Sequence, residues 1–228
     1  MRSLVITCAT IRAELEQVIK KTQFKDPVLY LESGLHNNPK KLHAVMQEIL
    51  ARIDNVDQVL IVMGYCGNAV LDLQAHNYRM IIPRADDCLT MLLGSQARRQ
   101  EVQQEKQTYF FSKGWLQYFD NLEKDIVTDL TRMEARYGKE RAEKIFRSMF
   151  KHYKRAGVID TGIFDIDELM LQAREKAQTM QLDCEVIPGT TDFLAKFLTG
   201  PWESDNFIII NAGETVLYKH LFASASTA

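Results

Sequence analysis

Three cysteines and one histidine each close an apolar, strand-like run: LVIT ends at Cys8, VLYLESGL at His36, VLIVMGY at Cys66 and MIIPRADD at Cys88. Cys thiolate and His imidazole are the usual ligands of zinc, and three Cys with one His form a common tetrahedral set. Three Cys with one non-protein position is equally the arrangement of a substrate-binding [4Fe-4S] cluster, so ligand type leaves zinc and the cluster both open. The spacing is not that of a structural zinc site. No C-x-x-C or H-x-x-x-H pair is present, and the shortest separation, Cys66 to Cys88, is 22 residues. Only the fold can gather these ligands. A metal held by loops from several strands lies where substrates bind and leaves an open coordination position, as catalytic metals need.

Around these four positions stand residues fit to hold or work on a bound group. Gly64 and Gly67 flank Cys66 in a way that suits a tight turn. With Tyr65, Asn68 and Arg84 they are candidates for contact with a cofactor or small-molecule substrate, Arg84 through a bidentate grip on an anion. His36 and Asp87 are the candidates for proton transfer. Tyr65, Phe111 and Trp115 offer either an apolar rim to exclude water or core packing, with core the favoured reading for Phe111. Cys184 precedes a strand instead of closing one and reads as a small buried hydrophobe. His43, His76, His152 and His220 have no comparable setting. No G-x-G-x-x-G, P-loop, H-E-x-x-H or G-x-S-x-G string occurs, so dinucleotide, nucleotide and standard hydrolase functions have no motif behind them.

The elements that must position these residues alternate. Residues 3–8, 28–32, 58–63 and 79–83 read as strands. Ile11, Leu15, Val18 and Ile19 form one helical stripe, and Leu42, Val45, Met46, Ile49 and Ile53 another, with Pro39 in its first turn and Asn38 as its cap. A short helix is expected from Asn68 to Gln74. Repeated β-α units with short connections imply a parallel sheet with right-handed crossovers, and in such sheets ligands bind at the carboxyl ends of the strands. From Leu89 a helix starts apolar and ends polar; YFF at 109–111 is a strand, SKGWLQYF carries a Gly-Trp turn, and Leu122 to Arg155 is helical with a break near Gly138. The α/β rhythm then returns with GVID as a strand, 166–180 as a helix, CEVIPG as a strand, DFLAKFL as a helix and NFIIINAG as the last strand. The expected fold is α/β, a Rossmann-like, mostly parallel sheet with helices on both faces. It is one compact unit over 1–228, or two α/β lobes, 1–105 with the strand-end site and 106–228 with a helical insertion.

Composition sets outer limits. With 228 residues, 46% of them hydrophobic and 25% charged, the chain can bury a full core without staples. Its net charge of -2 gives no electrostatic case for nucleic acid. The N-terminus lacks the apolar core and cleavage site of a secretory signal, no run is long enough to span a bilayer, and the four scattered Cys suit a reducing compartment; a cytoplasmic protein is expected.

The strings GLHNNP around His36, GYCGN around Cys66, PRADDC ending at Cys88, YFFSKGW, and IDTG at Ile159 to Gly162 together resemble an uncharacterised family, domain of unknown function sixteen-thirty-eight. The resemblance spans nearly the whole chain and places Cys8, His36, Cys66 and Cys88 on the family's characteristic polar positions. Members often lie beside genes for corrinoid-dependent methyltransferases. The resemblance therefore implies a metal-binding enzyme or accessory protein of one-carbon metabolism, with a corrinoid protein or methyltransferase as partner; a non-catalytic protein that binds a corrinoid, a metal or a C1 metabolite is the other expectation.

Overall fold

The computed structural model describes residues 1–120, 126–203 and 205–222. In chain order the elements are β1 (Ser3–Cys8), α1 (Arg12–Thr22), β2 (Val28–Leu31), α2 (Pro39–Ala51), β3 (Gln58–Val62), β4 (Arg79–Pro83), α3 (Cys88–Leu92), α4 (Gln96–Glu105), β5 (Thr108–Phe111), α5 (Lys113–Asp120), α6 (Ile126–Tyr137), α7 (Lys139–Phe150), β6 (Arg155–Asp160), α8 (Ile166–Thr179), β7 (Cys184–Pro188), α9 (Asp192–Thr199), β8 (Phe207–Ile210) and α10 (Tyr218–Phe222). They fall into two compact units, residues 1–96 with 191–228 and residues 97–190.

The first unit holds a five-stranded sheet in the order β2-β1-β3-β4-β8. The first four strands are parallel, and β8 joins β4 antiparallel. The central runs VLIV and MII are apolar without alternation because both faces of the sheet are covered. On one face Ile6, Val59, Ile61, Met80 and Ile82 pack with Leu42, Met46 and Leu50 of α2. On the other, α1 packs against α9, which reaches β3. Two crossovers of one hand require this split: β1 to β2 steps outward, and β2 to β3 steps back across β1. The direction of winding therefore reverses between β1 and β3, and the crevice that such a reversal opens at the carboxyl ends is the usual ligand position of the fold.

The second unit has its own parallel sheet, β5-β6-β7, backed by α8. Phe111, Phe146, Val158, Leu169 and Ala173 form its core. Phe111 is wholly buried there, in keeping with the core reading favoured for it. At the start of the sheet Arg155, almost wholly buried, donates to Glu185 (2.8 Å) and to the Thr108 hydroxyl (2.7 Å), and Lys106 pairs with the same glutamate. No helix among the described residues is long and apolar enough to cross a membrane.

Three local expectations need correction. The stretch 68–74 is not a helix: Cys66, Gly67 and Asn68 take φ values of 45°, 68° and 69°, and Asp72 a φ of 63°, all outside the helical range. Val70 and Leu73, whose spacing imitates a helix, are instead buried in a looped segment that is tied by Asp72 N–H to the Val216 carbonyl and by Ala75 N–H to that of Glu214 (both 2.9 Å). SKGWLQYF carries no Gly-Trp turn; it enters α5, with Leu116 N–H donating to the Ser112 carbonyl at 3.0 Å. The apolar-to-polar helix from Leu89 is interrupted at Gly94 (φ 93°), which separates α3 from α4. The helical run from Leu122 is seen from Ile126, because 121–125 lie outside the described residues, and it breaks at Gly138 as expected.

Tyr78 closes the α2 face: it is 1% exposed, and its hydroxyl donates to the Leu50 carbonyl at 2.8 Å, fixing the end of α2. Tyr78→Phe is expected to leave the fold intact and to cost about 1 kcal/mol in denaturant-induced unfolding, the usual worth of a buried hydrogen bond.

Candidate functional site

The site lies at the carboxyl ends of β1, β3 and β4, and a close backbone approach builds it. After β3 the chain meets the loop that follows β4: Tyr65 N–H donates to the Ala85 carbonyl (2.9 Å) and Cys66 N–H to that of Asp86 (3.0 Å). Gly64 sits against this loop so tightly that a Cβ would stand 2.3 Å from the Asp87 Cα. Only glycine fits. The crossing aligns Cys66 with Asp87 and Cys88. Cys66 itself is held left-handed, a conformation that costs a side-chain-bearing residue about 1–2 kcal/mol and is concentrated at functional sites. Gly67 follows with the Pro39 ring beneath it, 2.9 Å from where a Cβ would be. His43 of α2 secures the same loop through a 3.0 Å hydrogen bond between its Nδ1 and the Ala69 carbonyl oxygen.

The other thiols arrive from either side. Cys8, the last residue of β1, is buried, with its Sγ 3.0 Å from the Thr10 hydroxyl. Cys88 opens α3, whose first turn is capped by Asp87: its Oδ1 accepts from the Thr90 N–H at 3.0 Å and the Thr90 hydroxyl at 3.1 Å. His36 lies in the short 3-10 turn Ser33–Asn37 between β2 and α2.

Charge shows which of these residues share a site. Burial pushes the Cys66 thiol up to about 12, and Cys8 and Asp87 push in the same direction. Cys88 is raised well above the ordinary thiol value by burial and then by Asp87, Cys8, Cys66 and Glu14. Burial lowers the His36 imidazole, against opposing effects of its hydrogen bond to the Ser33 backbone and of Asp87. Asp87 thus acts on Cys66, Cys88 and His36, Cys8 acts on both other thiols, and every charge felt by Cys66 and Cys88 comes from another acid.

The expected binding residues divide. Gly64 builds the crossing described above, and Gly67 and Asn68 are exposed in the left-handed turn. Arg84 donates to the His220 carbonyl (2.8 Å) and hydrogen-bonds Tyr65, whose hydroxyl reaches the Leu221 carbonyl (3.3 Å). These two side chains hold the later part of α10 in place. Cys184 lies in the second unit, at the start of β7, apart from the three strand-end thiols.

Glu14 is the residue that sequence reasoning passed over. It is 1% exposed on α1 and acts on Cys88. Its position carried a signal, since Ile11, Glu14, Leu15 and Val18 follow helical spacing and a carboxylate on a buried stripe asks for a reason.

The donor types fit zinc or a three-cysteine cluster. As the side chains stand, no three His, Cys, Asp or Glu groups among the described residues are arranged to hold a metal ion. Coordination would therefore turn side chains toward a common point.

Two outcomes are expected from this geometry. Gly64→Ala should destabilise the protein by about 2–3 kcal/mol, the upper range for overpacking, because backbone and not a pliant side chain blocks the methyl group; a thermal melt within a degree of wild type would contradict the crossing. In metal-free protein, iodoacetamide labelling of Cys66 should keep accelerating past about pH 10, since the reactive species is the thiolate. Stability follows the same sign. The protonated thiol's contribution is complete below the ordinary thiol value of 9.0 and is lost as pH rises toward about 12. A labelling rate that levels off by about pH 10 would show an ordinary thiol.

Comparison with curated proteins and with solved structures returned no match. A family model described as "Protein of unknown function (DUF1638)" matches residues 30–198. That span takes in His36, the Cys66 crossing, Cys88 and the whole of the second unit, and the chain belongs to this family.

Proposed function

We propose that the first unit carries a thiolate site for a soft metal ion, zinc in preference to a [4Fe-4S] cluster, and that the protein serves one-carbon metabolism as an enzyme or accessory of corrinoid-linked methyl transfer. What supports the metal reading is that the three thiols stand at or just beyond the carboxyl ends of three neighbouring strands, β1, β3 and β4, and that every charge acting on Cys66 and Cys88 opposes ionisation. Such a cluster is costly in the apo protein and becomes favourable around a divalent cation, which reverses the local electrostatics and deprotonates coordinating thiols.

Cys8, Cys66 and Cys88 would hold the ion, with His36 either as a fourth ligand or as a base beside a coordination position left open. Bound zinc supplies Lewis acidity, lowering the pKa of a thiol acceptor that occupies an open position. Burial keeps the His36 imidazole neutral at neutral pH, the form that ligates or accepts a proton. Asp87 is committed through one oxygen to capping α3, and it orients Cys88 while remaining close enough to act on His36. The methyl-transfer role rests on the family resemblance and on this thiolate chemistry. A protein that only binds a metal, a corrinoid or a C1 metabolite needs the same ligands without a proton-transfer partner.

Metal analysis and absorption spectra of anaerobically purified wild type, Cys66→Ser, Cys184→Ser and His36→Ala test the site. A colourless wild type with about one zinc per chain, retained by Cys184→Ser and lost by Cys66→Ser with normal circular dichroism, is the expected result. A brown protein whose iron survives His36→Ala would replace zinc with the cluster. Equal metal content in Cys66→Ser and Cys184→Ser would refute the ligand assignment. The role is tested separately by mixing the protein with a methylated corrinoid protein and candidate thiol acceptors and following the cobalamin spectrum; demethylation at one rate with wild type, with Cys88→Ser and with no addition would leave the binding-protein reading.

A further inference from the structure

The second unit presents two surfaces of opposite character. At the corner between α6 and α7 a groove of about 810 Å³ is lined by Tyr137, Lys139, Arg141, Lys144 and Ile145, with Glu140 as the one acid. Arg136 and Arg141 lie over the Tyr137 ring, 5.3 and 5.9 Å from its centre. The inner faces of this hairpin, through Met133, Phe146 and Phe150, are used on the unit's own core. Tyr137 is nevertheless 42% exposed, Ile145 36% and Met149 59%. A ligand for this groove must bring carboxylates together with an apolar side chain.

The outer face of α8 has that chemistry. Leu169, Met170, Ala173 and Ala177 point into the core, whereas Leu171 is 72% exposed. Around it stand the exposed Asp167, Glu168 and Glu175, with Arg174 as the one cation on that face. Glu168, Leu171 and Glu175 are spaced three and four residues apart and form a single stripe, an apolar knob between two carboxylates. A fourteen-residue helix supplies about 21 Å of such a surface.

We propose that the chain self-associates through the second unit, the cationic α6–α7 groove of one copy receiving the acidic outer face of α8 from another. A nucleic acid would match the lysines and arginine but not Glu140, Ile145 and the net charge of -2. A second copy matches both charge and apolar content. Because each copy has a groove and an α8, a two-fold arrangement satisfies both contacts at once.

Sedimentation velocity on the full chain at low ionic strength tests this by charge exchange. The groove variant Lys139→Glu/Lys144→Glu and the helix variant Glu168→Lys/Glu175→Lys change exposed side chains only, and circular dichroism checks their fold; single substitutions Lys144→Glu and Glu168→Lys replace a double variant that unfolds. Wild type is expected to show a concentration-dependent dimer that weakens with added salt. Each variant alone should associate on the order of ten-fold or more weakly, since both of its contacts become like-charged. An equimolar mixture of the two should regain the dimer, because both contacts are then of opposite charge. Wild type that stays monomeric at all concentrations, variants that dimerise as wild type does, or a mixture that fails to recover association would each overturn the proposal.

Discussion

The first unit depends on one close contact, the seating of Gly64 on the Asp87 backbone. Because no side chain separates the end of β3 from the loop after β4, Tyr65 and Cys66 can hydrogen-bond to Ala85 and Asp86 beyond the sheet proper. That places the Cys66 and Cys88 sulfurs in one field, and the winding reversal between β1 and β3 adds Cys8 to it. The same crossing sets the caps and anchors around it. Asp87 is aligned to cap α3, while Tyr65 and Arg84 are turned toward the α10 backbone. A methyl group at position 64 would therefore disturb several residues whose side chains it never meets.

Much of the sheet was legible because its strands are buried on both faces. The runs at 3–8, 28–32, 58–63 and 79–83 have few polar residues to confuse the period, and the strands found there are parallel as expected. The looped segment after Cys66 was not legible, since Val70 and Leu73 carry a helical spacing whereas the backbone is decided by left-handed residues and by hydrogen bonds to a strand-end segment over a hundred residues away. Ser112 and the helix it begins were hidden by Gly114, which reads as a turn signal but is tolerated in a first turn.

The site was half legible for a related reason. Strand-end position is a local property, and it singled out Cys8, Cys66 and Cys88 together with Asp87. Partnership is not local: Arg84 looked like an anion grip and is engaged by the His220 carbonyl, and Glu14 looked like one more helix charge and is almost wholly buried beside the thiols. What distinguishes these two cases in the sequence is the face each occupies. Arg84 stands in a loop that offers no face to read, whereas Glu14 interrupts an apolar stripe.

The first unit is assembled from two separated stretches of chain, and this has a consequence for how the protein is made. During synthesis β4 emerges early, with Met80, Ile81 and Ile82 offering an unpaired, apolar edge, and its partner β8 follows only after the whole second unit has been produced. At about 5–20 residues per second, that edge waits on the order of ten seconds. A nascent chain in this state is open to pairing with another strand, and the independent core of the second unit, complete before β8 appears, is the part able to fold while the first unit waits.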